Sequence, residues 1–66
     1  MSDYKCKEKE IIAAMKLYGG SFIQTLAACY EVADFNNKTK LEKAFKNDFL
    51  DYDELARLHI EKFGDI

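Results

Sequence analysis

Adjacent glycines at Gly19 and Gly20 separate two apolar runs of helical period, and this constrains the fold more than any other feature. Each glycine costs about 1 kcal/mol relative to alanine inside a helix, and either can adopt positive φ. A continuous helix across them is therefore disfavoured. Before them, Ile11, Met15 and Tyr18 recur at i, i+4 and i+7, with Ile12 widening the stripe. After them, Ser21 has the form of an N-cap, and Gln24 three positions on completes a capping-box pattern. The pattern predicts a helix over residues 3–18, a tight turn, and a second helix from Phe22 to Ala33 or Asp34.

The second helix reads as the central one. Phe22, Leu26, Cys29, Tyr30 and Ala33 form one stripe with Ile23 and Ala27 beside it, and a helix apolar over most of its circumference is expected to be buried on several sides. Asn36 or Asn37 is expected to close it and open a third helix over residues 38–47, with Leu41, Ala44 and Phe45 inward. Asp51 with Glu54 reads as a further capping box, opening a last helix from Tyr52 to Phe63. Its expected stripe is Tyr52, Leu55, Ala56, His59, Ile60 and Phe63, and Gly64 stands where a left-handed C-terminal residue belongs. The fold class that follows is all-α: a small bundle of three or four short helices, with helix two, about 22–34, at its centre.

At 66 residues the chain is a single small domain over 1–66. A core of this size is marginal, and such chains commonly add disulfides, a metal or a partner copy. Only Cys6 and Cys29 are present, and the N-terminal residues have no apolar signal-peptide core, so the reading is cytoplasmic with free thiols. Cys29, inside an apolar run, is expected to be a buried structural thiol. His59 is the single histidine and no cysteine pair has ligand spacing, so no metal and no other cofactor is expected. No run approaches a membrane span. That leaves self-association, with Phe22, Ile23, Leu26 and Tyr30 as the expected interface.

Charge is uneven. Residues 36–47 carry four lysines and one glutamate, a local +3; residues 48–66 carry six acids and two bases, a local −4. The plain reading is two solvated faces that attract each other within a chain or between copies. The alternative is a basic partner face formed by Lys38, Lys40, Lys43 and Lys46, which suits a nucleic-acid-binding regulator. A helix-turn-helix placed across the glycines fits poorly, because its recognition helix would have no Lys or Arg from 21 to 35.

No catalytic constellation is found. The carboxylates and Ser21 are explained by capping, and His59 reads as a packed or partner-facing side chain, so the chain is not expected to be an enzyme. Gly19, Gly20 and Ser21 lack the lysine and spacing of a P-loop, although free N–H groups at a helix start can hold an anion.

Tyr18-Gly19-Gly20-Ser21-Phe22, then Leu26-Ala27, Ala33-Asp34, Asn37, Leu41 and Ala44-Phe45, resemble a pattern in short, mostly uncharacterised proteins of bacteriophages and prophages. The resemblance covers residues 18–50 and departs after Phe45, where the pattern continues with Pro and a Trp-containing segment but this chain has Lys46 and Phe49. It implies a mobile-element setting in a host cytoplasm and no particular activity. The expectation is a non-enzymatic, self-associating binding protein that binds or inhibits a host protein. The alternatives are an oligomeric sponge holding a phosphorylated small molecule or signalling nucleotide at Gly19–Ser21, and the nucleic-acid regulator.

Overall fold

The computed structural model describes residues 4–66, which form four helices: α1 (Glu8–Tyr18), α2 (Ser21–Val32), α3 (Phe35–Ala44) and α4 (Lys46–Phe63). The all-α expectation holds. α1 packs on both α2 and α4, and α3 closes the bundle against α2 and α4. Residues 4–7, placed in the first helix by periodicity, precede it; residues 1–3 lie outside the described residues. The helix begins at Glu8 because Glu10 reaches back to accept a hydrogen bond from the Lys7 N–H at 2.8 Å.

The core joins Ile11, Ile12 and Met15 of α1 to Leu26, Ala27 and Tyr30 of α2 and Phe49 of α4. Tyr30 and Phe49 rings meet at 5.1 Å. Burying a side chain such as Phe49 is worth about 1.5–3 kcal/mol. α1 is the most deeply buried element, which corrects the reading of α2 as buried on several sides. Ile11, Ala14 and Met15 are wholly covered, whereas α2 leaves Phe22, Ala28, Cys29 and Val32 exposed. Composition alone does not distinguish an apolar face that has a partner helix from one that has none. Ala44, Leu55 and Phe63, expected inward, are likewise exposed.

Three boundary expectations are corrected. Gly20 caps α2 and Ser21 is its first residue; Gln24 turns the other way, donating from Nε2 to the carbonyls of Lys16 (3.2 Å) and Gly19 (3.1 Å). It thereby satisfies the open end of α1 rather than the start of α2. Asp34, not Asn36 or Asn37, caps α3, accepting from the Asn37 N–H at 2.8 Å. Asp51 starts nothing: α4 begins at Lys46 and runs through it. The break between α3 and α4 is the single residue Phe45 (φ −121°, ψ 33°), after which Phe49 enters the core. That burial outweighs the weak helix preference of Asn47-Asp48.

Gly19 (φ −81°) and Gly20 (φ −78°) are both extended, so the turn does not use positive φ as expected. Gly19 is needed for space instead. A Cβ there would collide with Ile23 Cγ2 and the Met15 carbonyl and lie 2.6 Å from Ile23 Cβ. Gly20 faces open space. Among the described residues Gly64 alone takes positive φ, at 87°, closing α4 as its position predicts.

The buried carboxylate of Asp53 ties the segment before α1 to α4. Its two oxygens accept the backbone N–H groups of Lys5 (2.9 Å) and Cys6 (2.8 Å). Beyond the other end of the core, Tyr18 Oη and His59 Nδ1 share a 2.6 Å hydrogen bond. Both ends of α1 are thus fixed to α4.

Candidate functional site

Phe22 of α2 packs on Phe45 at the end of α3, with ring centroids 5.8 Å apart. At the other end of α2, Val32 and Ala33 line a groove with Asn37, Lys40 and Leu41 of α3, and Cys29 sits in it. The two helices therefore lie antiparallel, and the groove between them encloses about 470 Å³. It arises from the sequence pattern of α2. Leu26, Ala27 and Tyr30 take the side facing the core, which leaves Phe22, Cys29 and Val32 on an outer side that α3 borders but does not cover. Phe22 is 61% exposed and Val32 86%. Exposed apolar side chains lining a concavity are the common mark of an interaction surface.

The four expected interface residues are not brought together on that surface. Phe22 is on it, Ile23 is half-buried against the core, and Leu26 and Tyr30 lie inside the molecule. Cys29 was expected to be buried and is exposed. Val32, the most exposed large apolar residue, was missed. Its signal was present: at i+3 from Cys29 it extends the outer stripe, a reading that counting only the core stripe overlooks.

The lysines of α3 do not act as one face. Lys38 binds Glu8 of α1 at 3.2 Å and sits 5.3 Å from the Tyr30 ring centre, whereas Lys40 and Lys43 are exposed and make no ion pair among the described residues. Lys46 is exposed at the start of α4. Gly19, Gly20 and Ser21 form the α1–α2 link, where the first intrahelical bond of α2 runs from the Gln24 N–H to the Gly20 carbonyl at 2.9 Å. The α2–α3 groove does not reach this turn.

Two titratable groups are displaced. Burial, then the neighbouring Asp53 carboxylate, pushes the Cys6 thiol up to about 11. Burial raises the Tyr30 phenol, helped by the Glu8 and Glu42 carboxylates; its hydroxyl donates to Glu42 at 3.1 Å. Both shifts favour the neutral form, so neither group is activated as a nucleophile or base at neutral pH. His59 is held by Tyr18 and by the Phe63 ring at 4.8 Å. Among the described residues no cluster of three metal-ligating side chains occurs, and no helix is long and apolar enough to cross a membrane.

Compared with known proteins, the chain matches no family model, no curated protein and no solved structure.

Proposed function

We propose that this chain is a non-enzymatic binding protein that works as a self-associated unit, with the α2–α3 groove as the contact between copies. One observation carries the reading: Val32 stands exposed on the wall of a groove lined also by Cys29, Ala33 and Leu41, and Phe22 is exposed further back along α2. The occupant we assign is the α2 face of a second copy. A face that is both apolar ridge and groove wall can be self-complementary about a two-fold axis, the commonest symmetry of homo-oligomers. A stable contact of this kind buries about 600 Å² or more on each copy. A host protein is the proposed target of the assembled unit, a setting that rests on the resemblance to phage proteins.

Sedimentation velocity on the full chain and on Val32→Lys tests the contact. The expected result is an associated species for the native chain at micromolar concentration and a monomer of unchanged helicity for Val32→Lys. A native chain that sediments as a monomer over that range overturns the proposal.

A further inference from the structure

A second concavity, sharing no lining residue with the α2–α3 groove, lies between α1 and α2 and is closed at one end by α3. It encloses about 340 Å³. Its floor is apolar: Ile12 and Tyr30 are buried and Ala13 is half-buried. Its rim carries three ammonium groups. Lys38 Nζ is held by Glu8 at 3.2 Å and lies 5.3 Å from the Tyr30 ring centre. Lys16 Nζ is held by Glu31 at 2.6 Å. Lys9, next to Glu8, has no ion-pair partner among the described residues.

The geometry points to this groove as a binding site for a small monoanionic ligand with an apolar body, such as the carboxylate of an aliphatic or aromatic acid. Five charged side chains line it, three positive and two negative, so the lining carries a net charge of +1, and the Glu42 carboxylate stands behind it on the Tyr30 hydroxyl. That balance admits a single anionic head, while Glu8 and Glu31 repel a polyanion. The head group sits by Lys9 and Lys38, which share the Glu8 end of the groove. Lys16 lies seven residues further along α1, roughly 10 Å away at 1.5 Å per residue. This leaves the intervening Ile12 and Ala13 surface to cover the body of the ligand. The pairs already present do not block the head group, because partly exposed ion pairs are weak and exchange partners readily.

The test is a titration of the isotopically labelled full chain, followed by amide resonances, with benzoate, with acetate, which lacks the body, and with benzyl alcohol, which lacks the charge. Benzoate is expected to give saturable shifts at Lys9, Ile12, Ala13 and Lys38, with acetate and benzyl alcohol each binding several-fold more weakly. Lys9→Glu replaces an attractive charge beside the head group with a repulsive one, so it is expected to weaken benzoate several-fold. Lys9 is exposed, and its replacement leaves the core intact. Ala13→Phe, which fills the floor, is expected to abolish the response. Shifts that do not saturate in the millimolar range overturn the proposal. So do shifts centred instead on Lys40 and Lys43, or benzoate affinity unchanged in Lys9→Glu.

Discussion

At Gly19 the missing side chain is a matter of space, and at Gly64 a matter of backbone angle. The two glycines therefore fail differently. Gly19→Ala drives a methyl into Ile23 and the Met15 carbonyl, and overpacking of this kind costs about 1–3 kcal/mol. For a domain of this size that lowers the Tm by roughly 4–8 °C per kcal/mol. Gly64→Ala pays about 1–2 kcal/mol for its left-handed backbone. Gly20→Asp is expected to raise the Tm slightly, by adding a side-chain cap where α2 has none, at an extended position with open space. Thermal melts of the three variants check the order. The sequence marks the turn through its glycines but conceals which constraint each one meets, because a Cβ clash depends on the approach of Ile23. For the same reason Gln24 reads as a capping partner of Ser21 although its amide serves α1. Gln24→Ala is accordingly expected to cost about 1 kcal/mol, and Ser21→Ala close to nothing. Equal melts for those two would contradict the assignment.

Among the elements, the strap before α1 and the apolar face of α2 were the least legible. Asp53 sits among acids that all look like helix-start residues, and only the fold brings Lys5 and Cys6 to its two oxygens. Asp53→Asn keeps the shape but offers one acceptor where two are needed. Hydrogen bonds to charged groups are worth about 1.5–3 kcal/mol, so a loss near 2 kcal/mol is expected in denaturant unfolding. The Cys6 thiol, packed against the same residue, adds a pH dependence. Its folded value is raised to about 11 from an ordinary value near 9. The resulting stabilisation is complete below pH 9 and is lost as pH rises through 11, so melting temperature is expected to fall across that interval. Cys6→Ser is expected to flatten that part of the curve. Helix periodicity located α1 and α2 well, because their core stripes are continuous. It missed the first turns of α4, because burial of Phe49 overrides the weak local preferences around Asn47 and Asp48.

For the whole molecule, the class of fold was readable from period and punctuation, whereas the surface was not. A stripe such as Phe22, Cys29 and Val32 has the same spacing whether it faces a neighbouring helix or solvent. Only the packing of α1 under Leu26 and Tyr30 decides that these three point outward. The central claim is that a second copy covers this outer face. Cys29 lies in the groove and is exposed in the single chain, while Cys6 is half-buried, and that burial, with the neighbouring Asp53 carboxylate, keeps it protonated. Alkylation at pH 8 therefore reports on Cys29 and on the groove. The direct measurement is the rate of Cys29 alkylation in the native full chain as protein concentration is raised from nanomolar to high micromolar. The account predicts fast modification of the dilute chain and marked protection as copies associate, with Val32→Lys reacting fast throughout. A rate independent of concentration in the native chain would contradict it.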